Sequence, residues 1–139
     1  MKLTKKDFVT YTSNEKVQIR HIDKQHENMC QIINKIYNAR EKNKYSVVGT
    51  QLRKFLDLLK LHFAYEEDLM KQTKFTGYIT HKLEHDRVLK KIEAIAILYP
   101  KDASILTIEI LDGLKNWFYN HLEISDRKCG EHFVAMGIK

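Results

Sequence analysis

Apolar residues recur along this chain at intervals of three and four in four separate stretches, and in each stretch histidine takes one or more of the inward positions. From Ile19 the stripe runs through positions 19, 22, 26, 29, 33 and 36 (Ile, Ile, His, Met, Ile, Ile), the one-sided pattern of an amphipathic helix reaching about residue 40. The polar run at residues 41–44 is a turn, after which Ser46 is placed to cap a second helix with the stripe Leu52, Phe55, Leu59, His62, Glu66 and Leu69. Residues 73–77 break that helix. A third begins near Tyr78, carries His81, His85, Val88, Ile92 and Ile95 inward, and ends before Pro100. Asp102 is the expected cap of a fourth helix with the stripe Ile110, Leu114, Trp117, His121 and Ile124, and Gly130 is its expected end. Residues 1–17 lack the period and read as an arm lying across the helices.

Strand-like alternation is nowhere sustained. The expected fold is therefore all-α, an up-down-up-down four-helix bundle over residues 18–130 with an N-terminal arm (1–17) and a C-terminal tail (131–139). At 139 residues the chain has the length of one domain.

Charge changes this picture little. The formal charge is +6, yet the 24 basic residues are spread through every segment with acidic residues between them, as on a solvated helical surface, so neither nucleic acid nor a membrane is an expected partner. The basic N-terminus has no apolar stretch behind it, and no window approaches the roughly 18 apolar residues of a membrane span. Cys30 and Cys129 make no CxxC pair; helices one and four running antiparallel would hold them too far apart for a disulfide. Reduced thiols and a cytoplasmic location are expected.

The histidines carry the chemistry. A lone histidine on an apolar stripe is usually a hydrogen-bonded core residue, but here His26, His62, His81, His85 and His121 all face inward together with Glu66. An unpaired buried polar group loses about 1–3 kcal/mol, and coordination of metal satisfies the whole group at once. HxxxE and HxxxH put both side chains on one helix face, one turn apart. Seven inward ligands, counting Asp126, are too many for one tetrahedral zinc and fit two metals bridged by carboxylates. His121 and Asp126 are five apart, so in a regular helix they diverge by about 140° at about 100° per residue. A π-bulge between Trp117 and Asp126, read as a local overwinding by one residue, is the expected remedy.

Taken in order as H, HxxxE, HxxxH and HxxxxD, with I-D-x-Q-H at residues 22–26, E-E-x-L-M at 66–70 and D-x-L-x-x-W before His121, the pattern resembles the hemerythrin family. The resemblance spans roughly residues 8–135. It implies two iron ions bridged by Glu66, Asp126 and an oxo or hydroxo group, with His81, His85 and His121 on a six-coordinate iron. His26 and His62 would serve a five-coordinate iron whose open position takes O2, and Trp117, Phe118 and Leu122 would lie near the O2 pocket. Gln25 and Glu67, each beside a ligand, are candidates to hydrogen-bond ligand imidazoles; His21 and His132 match no ligand position. The chain departs from the family pattern at Tyr11, Phe118 and Cys129, none of them a ligand.

The implied function is reversible dioxygen binding as a carrier, store or supply protein, and not an enzyme. An imidazole-rich shell without the Glu-x-x-His motifs of ferritin-like oxidases favours holding O2 over cleaving it. The alternatives are an oxygen, redox or nitric oxide sensing module, or a di-iron enzyme acting on peroxide or nitric oxide. Dioxygen is the one partner implied, and no protein partner is indicated.

Overall fold

The computed structural model of the chain describes residues 7–139; the part of the expected arm at residues 1–6 lies outside the described residues. Three stripes give three helices close to their expected bounds, α1 (Arg20–Glu41), α2 (Tyr45–Gln72) and α3 (Tyr78–Leu98). Every position of the first stripe is buried. The fourth rod of the bundle is assembled from α4 (Ile108–Asn120), a π-helical turn (His121–Asp126) and α5 (Arg127–Ala135), which follow one another without a break. The result is an all-α, up-down-up-down four-helix bundle.

The first two turns close helix ends without glycine. Asn43 and Lys74 adopt left-handed backbone (φ 56° and 55°), so that the Lys44 N–H reaches the Ala39 carbonyl at 2.8 Å and the Phe75 N–H reaches the Met70 carbonyl at 2.9 Å. Carbonyls that the helix leaves unpaired are thereby satisfied. The first turn is so tight that α2 starts at Tyr45, and this corrects the expected role of Ser46. Ser46 lies inside the helix, its carbonyl accepting the Thr50 hydroxyl at 3.0 Å, and no side chain caps α2.

Two further expectations are corrected in the fourth rod. Asp102 caps a short 3-10 turn (Ala103–Ile105), accepting the Ser104 N–H at 3.1 Å, while Thr107 caps α4 by accepting the Ile110 N–H at 3.2 Å. Gly130 does not end the helix. A Cβ placed there would sit 2.6 Å from the Val17 Cβ and 3.0 Å from the Val17 carbonyl, so its missing side chain lets the arm approach α5. The helix runs on to Ala135, into what was expected to be tail, and closes at Gly137 (φ 85°) with the Ile138 N–H on the Phe133 carbonyl at 2.9 Å.

The arm lies on the bundle through directed contacts. Val9 is fully buried, and its N–H and carbonyl pair with the Asn34 side-chain amide at 2.7 and 2.8 Å. A 3-10 turn (Ser13–Glu15) follows, with a reciprocal Thr12 and Glu15 capping box. Asp23 then accepts the N–H groups of Val17 and Gln18 at 2.8 and 3.1 Å, clamping the arm to the start of α1.

Two apolar clusters form the core, a large one around Phe55, Phe63 and Phe118 and a smaller one of Ile19, Ile22, Met70, Cys129 and Phe133 with Val17. Chain positions at their border are polar. His26 stands between Ile22 and Met29, Glu66 between Phe63 and Met70, and Asp126 between Leu122 and Cys129. Cys30 belongs to the large cluster and Cys129 to the small one, both as buried free thiols. Burial pushes the Cys30 thiol up to about 11 and the Cys129 thiol further still. Among the described residues, no helix is long and apolar enough to cross a membrane.

Candidate metal centre

The border between the two clusters holds His26 from α1, His62 and Glu66 from α2, His81 and His85 from α3, and His121 and Asp126 from the π turn. All seven are at most 4 % exposed. Their ligating atoms form two groups, Glu66, His81, His85, His121 and Asp126 in one and His26, His62, Glu66 and Asp126 in the other. The two carboxylates belong to both groups, and each divides its oxygens between them. Glu66 Oε1 lies 2.5 Å from His81 Nε2 and 3.2 Å from His85 Nε2, while its Oε2 lies 3.4 Å from His62 Nε2. Asp126 Oδ1 lies 3.0 Å from both His81 Nε2 and His121 Nε2, and its Oδ2 lies 3.0 Å from His26 Nε2.

The π turn allows this. A turn paired i→i+5 holds one residue more than an α-helical turn, so His121 and Asp126, five apart, both enter the core. It is a wider turn and not the overwound one expected. The extra residue also rotates Ile124 outward: expected in the inward stripe, it is 58 % exposed.

Imidazole orientation is set from outside the pair of pockets. His62 Nδ1–H donates to Gln25 Oε1 at 2.6 Å, His85 Nδ1–H to Glu67 Oε2 at 2.9 Å, and His121 Nδ1–H to Glu84 Oε2 at 3.0 Å. These bonds leave each Nε2 lone pair free to face inward, the arrangement that metal-bound histidines share. Gln25 and Glu67 were expected in this role. Glu84 was missed, although it stands next to His85 as Glu67 stands next to Glu66. Ser125 was missed as well, and its hydroxyl steadies Glu84 by donating to Oε2 at 2.7 Å. Phe63, also missed, stacks on His85 with centroids 3.9 Å apart.

Trp117 stacks on His121 at 5.1 Å and meets Phe63 edge-on, whereas Phe118 and Leu122 are fully buried in the large apolar cluster. His21 packs against Tyr65, and His132 donates to the Thr73 carbonyl at 2.9 Å; neither is among the converging ligands.

Charge in the pockets is strongly coupled. Burial and the neighbouring Asp126 push Glu66 up, yet the imidazoles of His62, His81 and His85 facing it override them and hold it well below the usual carboxylate range. Burial likewise opposes ionisation of Asp126, and His121, His26 and His81 reverse it. Burial alone would lower His81 and His121, but Asp126 and Glu66 raise them to about 9 and about 10. His62 goes the other way, because burial dominates there. The His121 imidazole draws Glu84 down to about 2.

Two carboxylates in an apolar core thus demand compensating positive charge, and the geometry fits a metal cation. His85 Nε2, His121 Nε2 and both Asp126 oxygens are buried without a hydrogen-bond partner among the described residues, despite N···O distances of 3.0–3.2 Å. They are near one another but not aimed at one another. Ligands about 2.1 Å from a metal and at right angles to each other lie about 3 Å apart, the separation found here between His26 Nε2 and His62 Nε2, 3.1 Å. The donor set of imidazoles and carboxylates suits iron among other transition metals.

Known proteins resemble the chain over most of its length. Residues 17–130 match the family model of the hemerythrin HHE cation binding domain. The bacteriohemerythrin of Clostridium acetobutylicum is 31% identical over 117 residues, which span 79% of this chain and 89% of that protein. A hemerythrin-like protein of Naegleria gruberi is 31% identical over 107 residues, 77% of this chain and 78% of its own. The crystal structure of wild-type hemerythrin superposes with a TM-score of 0.83 at 22% identity, covering 89% of this chain and 96% of that one, a likeness of fold.

Proposed function

Because the chain belongs to the hemerythrin family, we propose that it holds two iron ions and binds dioxygen reversibly, as a carrier, store or supply protein and not as an enzyme. His81, His85 and His121 would hold one iron and His26 and His62 the other, while Glu66 and Asp126, shared by the two pockets, would serve both. The observation that carries this reading is the division of each carboxylate between the pockets, one oxygen facing two imidazoles of the three-histidine pocket and the other facing one imidazole of the two-histidine pocket. A shared pair of carboxylates with unequal histidine counts leaves one metal with fewer protein ligands than the other. When bound, the iron pair supplies the site at which O2 attaches and from which it leaves.

The protein's own residues supply the rest. Gln25, Glu67 and Glu84 fix imidazole orientation, and Phe63 and Trp117 pack against the ligand rings. Apolar clusters on both sides keep bulk water away. Phe118 and Leu122 narrow the space near the two-histidine pocket, so that a small neutral molecule is favoured there over hydrated anions. Two buried free thiols suit a reducing compartment, and we place the protein in the cytoplasm.

The test is the visible spectrum of the reduced, iron-loaded protein exposed to air and then to vacuum. A band that forms and vanishes over repeated cycles is expected. Irreversible bleaching, or turnover of peroxide or nitric oxide with a reductant, would assign an enzyme instead, and metal analysis finding one zinc per chain would remove the di-iron reading.

A further inference from the structure

The two long walls of α3 and α4 do not close on each other. Between them lies a cleft of about 490 Å³, lined by Val88, Ile92 and Ile95 from one side and Ile110, Leu114 and Trp117 from the other. That volume falls in the range of about 300–1,000 Å³ typical of small-molecule sites. Gly113 also lines the cleft, and a Cβ built there meets nothing within 4 Å, so the wall opens to free space at that point.

The lip carries two exposed cations. Arg87 and Lys91 line the cleft one helical turn apart on α3, both exposed, and neither forms an ion pair among the described residues. Their acidic neighbours are engaged elsewhere. Asp86 pairs with Lys82 at 2.8 Å, Glu93 with Lys60 at 3.6 Å, and Glu84, the one carboxylate lining the cleft among the described residues, accepts from His121 and Ser125. An elongated apolar slot with two free cations at its mouth complements a molecule with an anionic head and a hydrocarbon tail.

We propose that this cleft binds one straight-chain fatty acid anion, its carboxylate held by Arg87 and Lys91 and its tail laid between α3 and α4 toward Trp117. One end of the cleft abuts the three-histidine pocket, where His121, Glu84 and Ser125 line it, while the apolar walls and the two cations that would hold the ligand are not among the converging metal ligands. A guanidinium paired with an ammonium recognises a carboxylate through charge-assisted hydrogen bonds, and burial of the tail against isoleucine and leucine supplies the apolar contribution.

The test titrates the iron-loaded full chain with sodium dodecanoate, below its micelle concentration, by calorimetry. One-to-one saturable binding is expected, with dodecanol of the same length binding more weakly. Arg87→Glu with Lys91→Glu should weaken dodecanoate binding by about tenfold or more through loss of the charge-assisted bonds. Gly113→Leu should block the cleft while leaving the melting temperature unchanged or raised, since leucine is the better helix former. No saturable binding, equal affinity for dodecanol, or indifference to both variants would overturn the proposal. So would a dimer that buries the cleft and resists dodecanoate in sedimentation equilibrium, which would place a second copy of the chain there.

Discussion

The two halves of the metal centre share Glu66 and Asp126 but are supported differently. In the three-histidine half, His85 and His121 each lean on a carboxylate, Glu67 and Glu84, and Trp117 and Phe63 stack on the rings. In the two-histidine half, His62 leans on the neutral amide of Gln25, and His26 Nδ1 is buried with no partner among the described residues. Anionic support makes an imidazole a stronger donor to metal and holds it more firmly. One half would therefore hold a cation the more firmly. The other is more weakly supported and has two histidines to the first half's three, as the proposed reversible binding of a small molecule would require.

The largest expected effect removes what both halves share. Asp126→Ala should abolish retention of both metals and lower stability by about 3–5 kcal/mol, because it strips the charge partner from buried imidazoles. Elemental analysis and thermal unfolding read the two effects, and a variant that keeps one iron would show that the halves are independent.

Next come the supporting groups. Glu84→Gln should weaken metal retention by about 10–100-fold, measured by competition with a chelator, and Gln25→Ala should cost less because no charge is lost. Equal costs would erase the distinction between the halves.

Gly130→Ala separates packing from coordination. The added methyl meets Val17, and overpacking of this kind costs about 1–3 kcal/mol. Denaturant unfolding should show that loss while the folded protein keeps its metal affinity; weaker metal binding would mean that the small cluster sets the geometry of the pockets.

The smallest effect belongs to Phe118→Leu. Phe118 is fully buried, and a smaller side chain should loosen the two-histidine half and speed autoxidation several-fold, followed by the decay of the oxygenated spectrum. Equal rates would remove Phe118 from the pocket.

The sequence by itself determined the helices, the inward direction of six ligand-type residues, and the need for a π-type irregularity before Asp126, though not its sense. These rest on helical periodicity, a local property that any stretch of ten or twenty residues displays. Inside α2 and α3, HxxxE and HxxxH spacing brings two donors to one face whatever the rest of the chain does. The tertiary structure decided which atoms meet. Glu84 reaches His121 from another helix, 37 positions away, and no local pattern encodes that pairing. Asp102 was the expected cap of the fourth helix, and the 3-10 turn that follows it moves the start of α4 to Thr107. Gly130 looks like a helix end until Val17 is seen pressed against it. The cleft between α3 and α4 has no sequence signature at all, because a gap depends on how far apart two helices settle, and that is fixed by the packing of every other side chain in the bundle.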